Sequence, residues 1–276
     1  MALQSVQPDS AGARRRVLSA AVLAPAVLAA IAAGWPFVHV LVTVAAIVMA
    51  WEVIRLAWWE RGPRLAIVLS LVLGAGLAIA SAGRPDVGAL IVVSLAAAVA
   101  GAFKRRRSPL LGLALAYIGL ACMTFLWLRA QAEIGFGLTV WLVAAVWATD
   151  TGAMAAGKAI GGVRLAPVMS PNKTWAGLIG GMVAAAVASW LAGIFFPAVP
   201  KYLDLPGAPV LALIGAGLAV VAQVGDLFES GYKRYFGAKD SSHLIPGHGG
   251  LLDRADGLLL VSLVLAFVVY LQQGAS

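Results

Sequence analysis

The sequence predicts an all-α, polytopic transmembrane helical protein of about nine spans with its N-terminus in the cytoplasm. Of its 276 residues, 62% are hydrophobic and only 12% are charged, and the mean hydropathy is +0.93. Apolar stretches of about twenty residues recur along the chain, which is the length a helix needs to cross a hydrocarbon core of about 30 Å. This composition excludes an ordinary water-soluble globular domain.

The nine apolar stretches set the expected organisation. They lie at 17–34, 35–58, 64–82, 86–103, 109–128, 137–157, 175–197, 208–229 and 251–272. We expect a cytoplasmic tail over 1–16 and a transmembrane scaffold of about five spans over 17–135. A second transmembrane region of about four spans then covers 136–276, and it includes two cytoplasmic loops, 158–174 and 230–250. The polar residues that can carry chemistry are concentrated in this second region.

The basic residues give the orientation, because cytoplasmic loops carry the excess of Lys and Arg. With nine spans, 17 of the 20 basic residues fall on one side. The other side receives Arg84, Arg129 and Lys201. The net charge of +8 is therefore interpreted as a topology signal, and we expect no nucleic acid as a partner, since no aromatic residues are interleaved with the basic ones.

Acidic residues lie toward the cytoplasmic ends of the last two spans. Asp226 and Glu229 are three residues apart, as are Asp253 and Asp256, so each pair shares one helix face. Four carboxylates on two neighbouring helix ends repel one another unless cations lie between them. Oxygen ligands and a single cysteine, Cys122, favour Mg²⁺ over zinc, and a second cation is compatible with so many ligands. The alternative is helix capping, which suits Asp253 and Asp256 at a helix start.

Two polar segments add groups that bind phosphate. Lys233, Arg234 and Lys239 follow the eighth span, and His248 lies in "PGHGG", where glycines let backbone N–H groups approach an oxyanion. The segment "SPNKT" precedes the seventh span and supplies Ser170, Asn172, Lys173 and Thr174. Ordinary cytoplasmic lysines and a simple helix N-cap remain the alternatives for these two segments.

Metal-binding carboxylates and cations at the membrane surface favour phosphoryl or nucleotidyl transfer between a lipid phosphate and a soluble anionic substrate. The alternative from another class is a cation-coupled transporter, whose carboxylates would bind the coupling ion. Transporters usually place such groups near the middle of the bilayer. Here the acids cluster toward the cytoplasmic ends.

Residues 230–256 resemble the signature of the phosphatidate cytidylyltransferases, or CDP-diacylglycerol synthases. The matching positions are Ser230, Lys233, Arg234, Lys239, Asp240, Ser242, Pro246, His248, Gly249, Gly250, Asp253, Arg254 and Asp256. The preceding "GDLFES" and the upstream "SPNKT" also resemble the family, so the similarity covers roughly 145–260. Ala176 departs from the pattern, since many members have Glu there.

The resemblance implies that CTP and phosphatidate react to form CDP-diacylglycerol and pyrophosphate, with Mg²⁺. It implies Asp226 and Asp253 as catalytic residues and first metal ligands, with Asp256, Asp240 and Glu229 as further ligands or as groups that support the ligands. It also implies catalytic roles for Lys233, Lys239 and His248. The substrate-binding residues would be Ser170, Asn172, Lys173, Thr174, Ser230, Arg234, Gly249, Gly250 and Arg254.

The lipid phosphate would attack the α-phosphorus of CTP directly, without a covalent enzyme intermediate. The implied location is a cell membrane, the bacterial inner membrane, with the active site on the cytoplasmic face and a homodimer as a compatible assembly. A CTP-dependent polyprenol or lipid kinase is the alternative within the same chemistry, and it would release CDP instead of pyrophosphate.

Overall fold

A computed structural model describes residues 10–58, 63–102, 108–245 and 249–275, and helices form most of this part of the chain. The predicted residue His248 lies outside the described residues. In chain order the elements are α1 (Ser10–Ala33), α2 (Phe37–Trp58), α3 (Pro63–Ser81), α4 (Pro85–Ala102), α5 (Ser108–Arg129), α6 (Gly135–Ala159), β1 (Arg164–Ala166), β2 (Ser170–Thr174), α7 (Trp175–Phe195), α8 (Ala198–Tyr202), α9 (Ala208–Tyr235) and α10 (Leu252–Ala275).

The predicted class, a polytopic helical membrane protein, is confirmed. Within the described ranges, seven helices are long and apolar enough to cross a membrane, namely α2, α3, α5, α6, α7, α9 and α10. Two further apolar segments, Ala21–Ala33 in α1 and Pro85–Gly101 in α4, are shorter. All nine predicted stretches therefore coincide with helices, and whether α1 and α4 complete a crossing stays a prediction.

Two hydrophobic clusters organise the packing of these helices. One is built mainly from α2, α3, α4 and α5, and it includes Leu252 and Leu259 of α10. The other gathers α6, α9 and α10 with parts of α1, α5 and α7. Helix α10 packs against both α9 and α5, so it joins the two clusters.

The boundaries of the two predicted loops differ from the structure. Helix α9 continues to Tyr235 instead of ending at 229, so Lys233 and Arg234 lie in its last turn. Cations there interact favourably with the negative end of the helix dipole, and Gly237, at φ 74°, provides the left-handed residue that ends the helix. The loop expected at 158–174 contains an antiparallel pairing of β1 with β2. The second loop is thus shorter than predicted, and the first is partly ordered as a hairpin.

Candidate active site

The site is built where α9 crosses α10. Gly225 makes this crossing close, because a Cβ at that position would lie 2.7 Å from the carbonyl oxygen of Asp256. Tyr117 of α5 donates a hydrogen bond to the same carbonyl oxygen at 3.4 Å. The absence of a side chain at Gly225 therefore lets the acidic residues of the two helices approach one another.

Three carboxyl groups meet at this crossing. Asp226, Glu229 and Asp256 each offer an oxygen, and these oxygens all lie within 4.8 Å of one another. Glu229 is only 4% exposed, and its Oε1 has no hydrogen-bond partner among the described residues. A buried acceptor without a donor and three hard oxygen ligands fit a divalent cation such as Mg²⁺.

Two lysines contact this group of acids. Lys173, at the end of β2, places Nζ 2.5 Å from Asp226 Oδ2. Lys233 lies one turn after Glu229 on α9, with Nζ 2.7 Å from Glu229 Oε2 and 2.6 Å from Asp253 Oδ1. The cluster of acids is therefore bordered by ammonium groups from two separate segments of the chain.

Asp253 has a different environment from the other three acids. Its carboxylate accepts hydrogen bonds from the backbone N–H groups of Gly250, at 2.8 Å, and Ser241, at 3.2 and 3.1 Å. The hydroxyl of Ser241 lies 3.1 Å from Asp253 Oδ2, and Lys233 occupies Oδ1. These contacts favour a role in organising the loop before α10, while the assignment of Asp253 as a metal ligand stays a prediction.

The hairpin presents the predicted residues of "SPNKT" in different ways. Thr174 is buried, and its hydroxyl accepts the backbone N–H of Gly177 at 3.0 Å as the N-cap of α7. Asn172 is exposed, Ser170 is partly buried, and Lys173 is directed to Asp226. Among these four residues, the structure brings Lys173 into ion-pair contact with the acidic cluster.

The remaining predicted residues differ in their contacts and in their exposure. Ser230 donates to Asp226 Oδ1 at 3.3 Å. Arg234 is exposed and donates to the carbonyl oxygens of Met169, at 3.5 Å, and Ala238, at 3.4 Å. The exposed set comprises Lys239, Asp240 and Arg254, whereas Gly249 is half-buried and Gly250 is buried. Asp240 does not belong to the group of oxygens within 4.8 Å of one another.

One residue outside the prediction contacts this region. Glu52 of α2 is 0% exposed, and its carboxyl group accepts hydrogen bonds from the hydroxyl groups of Ser241 and Ser242. An acidic residue inside an apolar span was the available signal, because such residues are costly in a membrane and need a partner. Glu52 could be found in this way, but its partners, almost 200 positions away, could not.

A pocket of about 500 Å³ opens beside this loop. Its wall combines the end of α2 with the segment after α9. The lining residues are Arg55, Leu56, Asp240, Ser241, Ser242, His243 and Leu244. The pocket thus borders the same serine residues that contact Glu52 and Asp253.

Comparison with known proteins adds a family and several relatives. The model of the cytidylyltransferase family matches residues 14–272. The phosphatidate cytidylyltransferase of Brucella suis biovar 1 is 50% identical over 149 residues, covering 54% of this chain and 53% of the relative. That of Rickettsia bellii is 39% identical over 161 residues, 58% of this chain and 68% of the relative.

A third relative, the phosphatidate cytidylyltransferase of Staphylococcus haemolyticus, is 40% identical over 149 residues, which is 54% of each chain. The chain spans about half the length of the Brucella and Staphylococcus relatives that it matches.

Proposed function

Because the chain belongs to the cytidylyltransferase family, we propose that it transfers the cytidylyl group of CTP to phosphatidate, producing CDP-diacylglycerol and pyrophosphate. The observation that carries this proposal is the group of three carboxyl groups, Asp226, Glu229 and Asp256, with Lys173 and Lys233 beside it. Such a site suits substrates that carry several phosphate charges and meet at a membrane surface.

The proposal includes Mg²⁺ as the cofactor, held by Asp226, Glu229 and Asp256. A bound Mg²⁺ would neutralise phosphate charge and align the reacting groups. The acids supply oxygen ligands on two helices whose crossing is fixed by close packing at Gly225. This rigidity favours a preorganised site over one that assembles around its substrates.

The basic residues bind and orient the phosphates in this proposal. Lys173 and Lys233 lie against the acids, whereas Arg234 and Lys239 are exposed where a soluble nucleotide arrives. An oxygen of the phosphatidate phosphate forms a bond to the α-phosphorus of CTP, and the bond from that phosphorus to the bridging oxygen breaks. Pyrophosphate leaves with the electron pair, so no side chain forms a covalent bond with the substrate.

We further propose that the protein lies in a bacterial inner membrane and that its site faces the cytoplasm. The positive-inside distribution of the basic residues supports this orientation, and CTP is a soluble substrate of that compartment. A homodimer is compatible with the proposal and is not needed for the chemistry described.

The first test uses purified protein in mixed micelles with phosphatidate, Mg²⁺ and CTP labelled at the α-phosphate. We expect label in the lipid product and release of pyrophosphate. The Asp256→Asn variant should lose at least about 100-fold in kcat, the scale of losing a preorganised electrostatic contact, and chelation of Mg²⁺ should abolish turnover. The matched control is Asp204→Asn, because Asp204 is exposed and its φ of 51° suits Asn.

Other outcomes would contradict the proposal. Label recovered only in CDP, together with phosphorylation of a lipid alcohol, would indicate a lipid kinase. A folded protein that turns over no CTP would contradict the transferase assignment and would favour the transporter interpretation. An equal loss of kcat in the Asp256→Asn and Asp204→Asn variants would show that the carboxyl group of Asp256 has no specific role in the reaction.

A further inference from the structure

Glu52 is a completely buried acidic residue in the first half of the chain. It lies in the span Phe37–Ala57, and both of its carboxyl oxygens accept hydrogen bonds. Oε1 accepts the hydroxyl of Ser242 at 2.5 Å and the backbone N–H of Leu251 at 2.9 Å. Oε2 accepts the hydroxyl of Ser241 at 3.1 Å and the backbone N–H of Leu252 at 2.8 Å.

These four hydrogen bonds connect α2 to residues 241–242 and 251–252, which lie between α9 and the first turn of α10. Two of them come from the backbone at the start of α10, whose first N–H groups have no acceptor within the helix. The other two hold the serine pair that follows Asp240. Glu52 therefore binds two parts of the connection between α9 and α10, namely the pair Ser241 and Ser242 and the backbone at the start of α10.

The same loop holds the ion pair of the candidate site. Ser241 and Gly250 donate to the carboxylate of Asp253, and Asp253 in turn contacts Lys233. Ser241 Oγ lies 3.1 Å from an oxygen of Glu52 and 3.1 Å from an oxygen of Asp253. One hydroxyl group thus connects Glu52 with the Lys233–Asp253 pair.

The packing at Gly250 leaves no room for a side chain. A Cβ on Gly250 would overlap Ser241 Oγ and would come 2.5 Å from Glu52 Oε1. Tyr232, one residue before Lys233, donates to the carbonyl oxygen of Val53 at 3.3 Å. Helix α2 therefore contacts both the loop and α9 at the level of the site.

We propose that Glu52 is a positioning residue of the proposed transferase. It holds residues 241–242 and 251–252 of the connection before α10 in the arrangement that places Asp253, Lys233 and the start of α10 around the phosphates. This role rests on the proposed function, and it makes the N-terminal half of the chain part of the catalytic arrangement. In this role Glu52 acts through its hydrogen bonds to the protein and not through contact with the reacting groups.

The test compares Glu52→Gln, Glu52→Asp and Ser242→Ala with the wild type. Gln replaces one acceptor oxygen with an N–H₂ group that faces hydrogen-bond donors. We expect kcat for cytidylyl transfer to fall at least about tenfold in Glu52→Gln, because a small misplacement of reacting groups is costly. The KM for phosphatidate should stay within roughly twofold, since the residues that contact the lipid phosphate remain.

Glu52→Asp should recover part of kcat, because it keeps two acceptor oxygens. Ser242→Ala removes one hydrogen-bond donor and should lower kcat by less than Glu52→Gln does. In the double variant that carries both substitutions, kcat should be close to that of Glu52→Gln alone, because the two residues share one hydrogen bond. The matched control is Glu133→Gln, since Glu133 is exposed in the turn between α5 and α6. This control should behave as the wild type.

Hydrogen exchange provides a readout that does not depend on activity. In Glu52→Gln, peptides that cover 241–252 should exchange faster, whereas peptides from α6 and α7 should keep their protection. If the wild type makes no CDP-diacylglycerol, the proposed function is wrong. The rate of amide hydrogen exchange in peptides that cover 241–252 still shows whether Glu52 stabilises this loop.

Three results would overturn the proposal. They are unchanged exchange of 241–252 in Glu52→Gln, unchanged kcat in that variant, and loss of protection throughout the helices. The last result would show that Glu52 stabilises the whole fold and does not position the loop.

Discussion

At the scale of single residues, the site depends on how buried charges are compensated. Lys233 lies between Glu229 and Asp253, and the side chains of these three residues are 5–11% exposed. Removing one member of such a group leaves an uncompensated charge in a region of low dielectric constant. Lys233 therefore serves the stability of the fold as well as the proposed phosphate binding.

The substitution Lys233→Met tests this compensation. We expect the free energy of unfolding to fall by about 3 kcal/mol, as is typical when one partner of a buried ion pair is lost. Reversible unfolding in detergent micelles measures the change. The control is Arg234→Met, one position along the same helix turn but exposed, which should cost less than about 0.5 kcal/mol. Equal losses would contradict the special role of Lys233.

At the scale of the elements, the crossing of α9 and α10 brings the acidic residues together. Asp226 and Glu229 lie nine and six residues before the end of α9, and Asp256 lies in the second turn of α10. Neither helix alone carries all three carboxyl groups. The separation of the two helices at Gly225 therefore decides whether the three groups can share one cation.

The substitution Gly225→Ala tests the closeness of that crossing. Its methyl group would meet the Asp256 carbonyl oxygen at 2.7 Å and Leu260 Cβ at 3.1 Å, so we expect a loss of about 1–3 kcal/mol. Thermal unfolding and turnover should both decrease. Gly217→Ala, in the same helix, meets nothing within 4 Å and should be neutral or slightly stabilising. A neutral Gly225→Ala would contradict the close crossing.

At the scale of the whole molecule, the two halves of the chain are joined at the site. Helix α10 packs against α9 on one side and α5 on the other. Glu52 connects α2 with the loop before α10 through four hydrogen bonds. The expected division into a scaffold over 17–135 and a catalytic region over 136–276 stays a prediction. The hydrogen bonds of Glu52 connect these two regions.

The orientation in the membrane can be tested with single cysteines. The starting protein carries Cys122→Ala, which removes the one buried native thiol. Val168 lies in the exposed connection between β1 and β2, and Lys201 is an exposed residue of α8, so each is replaced by Cys in turn. In intact cells, an impermeant thiol reagent should label Lys201→Cys and should reach Val168→Cys only after permeabilisation. The reverse pattern would overturn the cytoplasmic site.

The linear sequence by itself determined the helical membrane class, the positions of the nine apolar stretches and the residues available for chemistry. These properties are local, because hydropathy over about twenty residues decides whether a segment enters the bilayer. The signature around Lys233 and Asp253 likewise identified the family, because its spacing is a property of the chain order.

Only the tertiary structure decided which of these residues meet. It brought together Asp226, Glu229 and Asp256, directed Asp253 to Lys233 and the loop, and extended α9 beyond 229. It also placed Glu52 beside residues 241–242 and 251–252. The physical reason is that such contacts depend on how far apart helices pack and on their rotation about their own axes. Both follow from close contacts such as that at Gly225, between residues distant in the chain.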